Sequence, residues 1–170
     1  ERTLLVSGFS KAFAMTGWRL GYLCGEPEIV KEITKIHQYG IMCSPTVSQY
    51  AAIDAVKNSD ADVAYMVSEY DHRRRMLVDE LNRIGLHCFE PKGAFYLYID
   101  LGSAIGLSYK GRVVEGAADV ADILINDYAT AVIPCADFGG PNNIRLSYAI
   151  SMEEISKGLD RIEAFLKELK

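Results

Sequence analysis

Residues 7–22 of the chain read Ser7-Gly-Phe-Ser-Lys-Ala-Phe-Ala-Met-Thr-Gly-Trp-Arg-Leu-Gly-Tyr22. Apolar residues flank this sequence and predict two short buried strands, residues 3–8 and 20–24, joined by a loop. The loop carries Lys11, with a serine beside it, and then Arg19. Lysine forms Schiff bases with aldehydes, and arginine binds phosphate with its planar fork of donors. Pyridoxal phosphate carries an aldehyde and a phosphate on one ring, so these two residue types match this cofactor, although their spacing alone is weak evidence.

Three motifs together resemble one family of enzymes. The loop closely resembles the Schiff-base lysine motif of the fold-type I, class I/II aminotransferases, which use pyridoxal 5'-phosphate. Two later stretches resemble signatures of the family's small domain and occur in the same order as in the family. They are Pro91-Lys-Gly-Ala-Phe-Tyr96 and Asn143-Ile-Arg-Leu-Ser-Tyr148. The resemblance covers nearly the whole chain. It implies transfer of an amino group between an L-amino acid and a 2-oxo acid.

The resemblance also implies roles for four residues. Lys11 would bind the cofactor aldehyde as a Schiff base and act as the catalytic amine that moves a proton. Arg19 would bind the cofactor phosphate, with Ser10 as a hydroxyl donor and Ser7 as a weaker candidate. Arg145 would bind the α-carboxylate of the substrate.

The sequence departs from the family pattern at two positions near these residues. Gly8 lies where several relatives have a serine, and Cys135 lies where many have a glycine. Phe95 and Phe138 are candidates for the substrate pocket, although aromatic residues at such spacing are more often part of a core. Trp18, the only tryptophan, is expected to pack the loop.

Composition and charge argue against several classes of function. The chain has 170 residues, of which 49% are hydrophobic and 24% charged, as in ordinary globular proteins. A net charge of -5, with no block of like charges, gives no reason to expect nucleic-acid binding. No apolar run approaches the length of a membrane span. The four cysteines and three histidines lack metal-ligand spacing, so we expect reduced thiols, a cytoplasmic location and no metal site.

The predicted fold class is α/β, with two parts. Residues 1–40 are predicted to be a remnant of the large cofactor-binding domain, namely its last two strands, from a larger parallel sheet, and a connecting helix. Residues 41–170 are predicted to be the C-terminal small α+β domain. The predicted helices span about 27–40, 45–57, 60–84, 117–128 and a segment capped by Ser151; the predicted strands span 86–89, 95–101, 131–134 and 143–150, with a loop over 102–116.

The chain enters a predicted strand within a few residues of Glu1, so we expect it to be the C-terminal portion of a longer protein. By resemblance, that protein is a homodimer, and the acid and the stacking aromatic beneath the cofactor lie upstream. The chain alone is therefore predicted to lack useful activity. Two other hypotheses stay open. The protein could be another fold-type I enzyme, such as a C–S lyase or an aminocyclopropane-carboxylate synthase-like protein. The second hypothesis is a cofactor-sensing module of a transcription regulator.

Overall fold

The computed structural model describes residues 2–170, which form two compact units, one ending at Val67 and the other beginning at Ser68. The division falls inside a helix that runs through both units. This division reflects which residues pack together. It does not test the predicted domain boundary after residue 40, which stays a prediction.

The first unit opens with a β-hairpin. Strands β1 (Leu5–Gly8) and β2 (Gly21–Cys24) pair antiparallel, so the parallel pairing expected of a larger sheet is not found between them. The prediction that both strands are buried is wrong for this chain: every residue of β1 is exposed, as is most of β2. A ribbon of two strands has too little structure around it in this unit to cover both of its faces.

Three helices follow, close to their predicted bounds: α1 (Pro27–Ile41), α2 (Thr46–Asn58) and α3 (Asp60–Arg83). Proline at the first position of α1 has a backbone already suited to a helix start. No residue of α1 is buried, whereas α2 buries Ala52 and Ala55. The small side chains of α2 therefore allow a close approach, as its composition predicted.

The second unit is an antiparallel three-stranded sheet packed against helices. The strand order is β3 (Tyr96–Asp100), β7 (Gly140–Ser147) and β6 (Ile133–Cys135). Helices α4 (Ala117–Tyr128) and α5 (Met152–Glu168) agree with the prediction. The predicted cap of α5 is confirmed, because the Ser151 hydroxyl accepts a hydrogen bond from the backbone N–H of Glu154 at 3.3 Å. The core includes Leu81, Leu97, Ile99, Leu124, Ile144, Ile162 and Phe165.

Two predictions for this unit are wrong, and the strand predicted over residues 143–150 lies three residues earlier, at Gly140–Ser147. Residues 86–89 form no strand, and a single bridge joins Cys88 to Ile99. Pro91 follows closely and has no N–H with which to extend a ladder. The predicted loop over 102–116 contains a small hairpin, β4 (Ser108–Tyr109) and β5 (Arg112–Val113). The two residues between these strands have positive φ, 48° at Lys110 and 85° at Gly111, as a tight hairpin turn requires.

Within residues 2–170, no helix combines the length and apolarity needed to cross a bilayer. The same residues contain no group of three or more histidine, cysteine, aspartate or glutamate side chains placed to hold a metal ion.

Candidate functional site

The loop between β1 and β2 is held on α2 by packing and by a partly buried hydrogen bond. Met15 is buried against Ala52 and Ala55 of α2. The Ser48 hydroxyl, on a side chain only 3% exposed, donates to the backbone carbonyl of Trp18 at 2.8 Å. A buried hydroxyl that has a partner contributes about 1 kcal/mol, and more is lost when the carbonyl is left unpaired. The loop backbone is thus fixed at both its middle and its end.

On this fixed loop the candidate cofactor residues remain accessible. Lys11 and Arg19 are exposed, and Ser10 is half-buried. The Arg19 guanidinium donates through Nη1 to the carbonyl of Thr16 at 3.0 Å, which bends the side chain back over the short 3-10 turn Thr16–Trp18. Its other donors make no hydrogen bond to a described residue. They remain able to bind an anion.

Arg19 also has an unusual backbone. Its φ of 51° and ψ of 47° lie in the left-handed region, where a residue with a side chain costs about 1 kcal/mol or more. Strained backbones of this kind concentrate at functional sites, because the surrounding structure must hold them in place. Glycine would adopt this conformation without strain. Position 19 nevertheless carries an arginine, as in the lysine motif.

The departure at Gly8 has a local physical reason. A Cβ atom at Gly8 would come within 3.3 Å of the carbonyl oxygen of Leu20, and one at Gly21 within 2.9 Å of the carbonyl oxygen of Ser7. Two glycines facing each other let the strands approach closely where the loop begins. The phosphate-binding role of Ser7, which is exposed on β1, stays a prediction.

Arg145 lies on the central strand of the second unit, opposite Tyr98 of β3 and Ile133 of β6. It is half-buried. Its guanidinium carbon is 4.5 Å from the centroid of the Tyr96 ring and 5.1 Å from that of Phe138. No carboxylate of the described residues forms an ion pair with it, and no described group hydrogen-bonds to it. The planar fork is therefore free to bind a carboxylate ligand.

The two candidate pocket phenylalanines differ. Phe95 is half-buried, with its ring 6.2 Å from that of Tyr70, and it packs against the core. Phe138 is 60% exposed, on the 3-10 turn Ala136–Phe138 between β6 and β7. Phe138 is thus a surface residue beside Arg145, whereas Phe95 supports the sheet.

Cys135 is fully buried, with its Sγ 3.4 Å from the carbonyl oxygen of Ile133. Burial raises the pKa of this thiol, and the positive charge of Arg145 opposes that shift. The thiol therefore stays protonated near neutral pH and acts as a small apolar side chain. This buried cysteine, at a position where the sequence departs from the family pattern, therefore adds no charge.

Another glycine fixes the turn that carries Phe138. A Cβ atom at Gly140 would overlap the Tyr98 hydroxyl, so Tyr98 lies directly over the backbone at the start of β7. The preceding Gly139 has a φ of 83°, which favours glycine. Sequence reasoning missed Tyr96, Tyr98 and Ser48. The alternation of β3 placed both tyrosines on the polar face, but only the side-chain positions show that the ring beside the Arg145 guanidinium is that of Tyr96, although Tyr98 is the residue directly opposite.

Three of the predicted site residues, Ser10, Lys11 and Arg19, occur together on the loop of the first unit. Their chemistry fits pyridoxal phosphate: an exposed amine for the aldehyde, and a hydroxyl and a guanidinium with unused donors for the phosphate. Arg145 belongs to the second unit. The roles of these four residues stay predictions.

Comparison with known families supports this interpretation. A family model described as aminotransferase class I and II matches residues 1–162 of the chain. The chain belongs to this family.

Members of the aminotransferase family with curated names include an aspartate aminotransferase of Pyrococcus abyssi, 37% identical over 174 residues. A (5-formylfuran-3-yl)methyl phosphate transaminase of Methanocaldococcus jannaschii is 37% identical over 171 residues. These matches cover 100% and 99% of this chain but only 42% and 43% of the relatives. The chain therefore spans less than half the length of the curated aminotransferases that it matches.

A solved aminotransferase structure has the same fold. The crystal structure of the aspartate aminotransferase from Rhizobium meliloti matches with a TM-score of 0.95 and 34% sequence identity. The match covers 100% of this chain and 43% of that one. The predicted α/β class and the resemblance to part of an aminotransferase are confirmed.

Proposed function

We propose that the protein containing this chain is a pyridoxal-phosphate-dependent aminotransferase that moves an amino group between an L-amino acid and a 2-oxo acid. The observation that carries the proposal is the loop between β1 and β2. It presents the Lys11 amine and the Arg19 guanidinium at the surface while Met15 and Ser48 fix its backbone on α2. A positioned amine and a positioned phosphate ligand on one rigid loop are what this cofactor needs.

Each residue has a distinct task in this proposal. Arg19 and Ser10 bind the cofactor phosphate, and Lys11 holds the aldehyde end and moves a proton at the α-carbon of the substrate. The bound cofactor supplies the ring that delocalises negative charge from that carbon. Arg145 binds the α-carboxylate and so orients the substrate. Its fork is suited to this task because no described carboxylate occupies it.

The proposal extends to the whole protein. We propose that it is a homodimer located in the cytoplasm and that this chain alone has no useful activity. The location is supported by the four cysteines, all of them free thiols in the described part of the chain. The inactivity of the chain alone is supported by its length, less than half that of its curated relatives.

The alternatives are less favoured. A C–S lyase, an aminocyclopropane-carboxylate synthase-like enzyme and a sensor module of a transcription regulator would share the lysine loop. The named relatives given above are aminotransferases or transaminases. Amino transfer is therefore the reaction that the known members support.

The test is an absorption spectrum of the full-length protein with pyridoxal phosphate, recorded as candidate L-amino acids are added. We expect a band from the lysine-bound cofactor that shifts with the correct amino acid. Lys11→Ala should abolish the band, whereas Lys31→Ala, at an exposed lysine on α1, should leave it unchanged. A band that persists in Lys11→Ala, or that no amino acid shifts, would contradict the proposal.

A further inference from the structure

We infer that Tyr96 and Phe138 position Arg145 for binding the substrate carboxylate. The two rings, named here the aromatic pair, contact the guanidinium and limit its freedom while leaving its N–H donors unused. The inference rests on the carboxylate-binding role proposed for Arg145 and assigns it two positioning residues.

The first ring reaches Arg145 across the sheet. Arg145 on β7 faces Tyr98 on β3 directly, and Tyr96 lies two residues away on the same face. Such diagonal neighbours are within reach of an aromatic side chain. The distance from the Tyr96 centroid to the guanidinium carbon, 4.5 Å, is within the range of a cation–π contact.

The second ring comes from a different element. Phe138 ends the 3-10 turn that connects β6 to β7, and its centroid is 5.1 Å from the same carbon. Phe138 is 60% exposed, so burial in the core does not explain its position. Gly139 and Gly140 hold the turn, the first by its positive φ and the second by the close approach of Tyr98.

The choice of aromatic partners matters for the chemistry. A carboxylate partner would compete with the substrate, because it would occupy the edge of the guanidinium where the N–H groups point. An aromatic face attracts the cation through its quadrupole and accepts none of the strong hydrogen bonds. Arg145 is thus held without being neutralised. Restricting its rotamers before binding lowers the entropy lost when a carboxylate is bound.

This reasoning predicts which kinetic quantity changes. The aromatic pair contacts the arginine, so removing a ring should weaken binding of ligands with an α-carboxylate. The proton-transfer step should proceed as before once the substrate is bound. We therefore expect a rise in KM and in the dissociation constant, with kcat nearly constant.

The experiment uses the full-length protein with its cofactor and compares Tyr96→Leu, Phe138→Leu and Arg145→Leu. The probes are the L-amino acid that shifts the absorption band, as described above, and the amine left when its α-carboxylate is removed. Dissociation constants for both probes are measured by titration calorimetry, beside KM and kcat. We expect each ring-removing variant to bind the amino acid about 3- to 30-fold more weakly, with amine binding changed less than about twofold.

Matched variants separate positioning from general damage. Tyr96→Phe and Phe138→Tyr keep a ring and should restore amino-acid binding to within about twofold of wild type. Phe89→Leu removes an aromatic side chain that is 83% exposed in the same unit and should change neither probe. Thermal unfolding of every variant shows whether it is folded.

Three outcomes overturn the inference. Ring-removing variants that bind the amino acid like wild type, while Arg145→Leu does not, contradict the aromatic pair alone. Equal weakening of both probes indicates a structural role and also contradicts it. If Arg145→Leu itself leaves both probes unchanged, the proposed role of Arg145 fails, and the inference about the two rings fails with it.

Discussion

The two units of the chain differ in how many apolar side chains they bury. The second unit has one continuous core, formed by residues in or next to each of its five strands and by residues of three helices. In the first unit the buried apolar residues are Met15, Ala52 and Ala55. The loop that carries Lys11 belongs to the unit with the smaller core. The residues proposed to bind the cofactor therefore lie in the unit with the smaller core, whereas Arg145 lies in the unit with the larger one.

The contrast is clearest between two helices. Helix α5 buries Ile155, Leu159, Ile162 and Phe165 on one face, while α1 buries no residue and leaves Tyr39 92% exposed. Both helices are amphipathic by sequence, so periodicity alone does not distinguish them. An apolar stripe becomes stabilising only when another surface covers it.

The largest expected effect comes from truncating an aromatic side chain in each helix of the 170-residue chain. Phe165→Ala should lower the free energy of unfolding by about 3–5 kcal/mol, because it leaves a cavity between the rings of Tyr109 and Tyr128. Tyr39→Ala should change it by less than about 0.5 kcal/mol, since the side chain is already in solvent. Urea unfolding followed by far-ultraviolet circular dichroism measures both. A loss of about 2 kcal/mol or more in Tyr39→Ala, the value for a buried side chain, would contradict the contrast between α1 and α5.

A smaller effect is expected where the first unit is held together by a hydrogen bond. Ser48→Ala removes the donor to the Trp18 carbonyl and should destabilise the loop by about 1 kcal/mol. Trp18 is the only tryptophan, so its fluorescence reports on this loop. Thr46→Ala, at an exposed position on the same helix, is the matched control. A fluorescence transition that is identical in Ser48→Ala and wild type would show that the bond does not hold the loop.

The smallest effect concerns an exposed ion pair of the second unit. Glu163 on α5 lies 3.1 Å from Arg83 on α3 and 2.8 Å from Lys167. Hydrogen bonding to Arg83, and then to Lys167, lowers the pKa of Glu163 from 4.5 to about 2. A lowered folded-state pKa stabilises the fold fully above about pH 4.5, and this contribution falls with pH until it is lost below about 2.

Glu163→Gln should therefore slightly lower the thermal midpoint near neutral pH, and the difference from wild type should vanish near pH 2. Added salt should reduce the difference, because exposed pairs are screened. Glu115→Gln, at an exposed glutamate without an ion pair among the described residues, is the control. A difference that persists unchanged at pH 2 would contradict the assignment.

Helices were predictable because their signals are local. Pro27 marks the start of α1 and Ser151 caps α5, and both bounds agree with the structure. The lysine loop was located by its motif, and the structure places it between two paired strands. Periodicity, capping and the lysine motif each depend on residues that are close together in sequence.

Features that depend on distant partners were not predictable in the same way. The apolar residues of β1 predicted burial, but burial depends on what covers a strand and not on the strand itself. The small hairpin at Ser108–Val113 was missed although Lys110-Gly111 is a recognisable turn signal. The contact between Tyr96 and Arg145 depends on the register of two strands far apart in sequence and on the side-chain positions, because the register alone pairs Arg145 with Tyr98.

The close approach of Tyr98 to Gly140 has a consequence for how this sequence can diverge. Any side chain at position 140 would overlap the tyrosine hydroxyl, so a substitution there requires Tyr98 to shrink or to leave its place over the strand. A smaller residue at position 98 would in turn remove the closest of the contacts that a Cβ atom at position 140 would make, the other being with Asn143 Oδ1 at 2.7 Å. These two positions should drift through evolution as a linked pair, and related sequences should exchange them together.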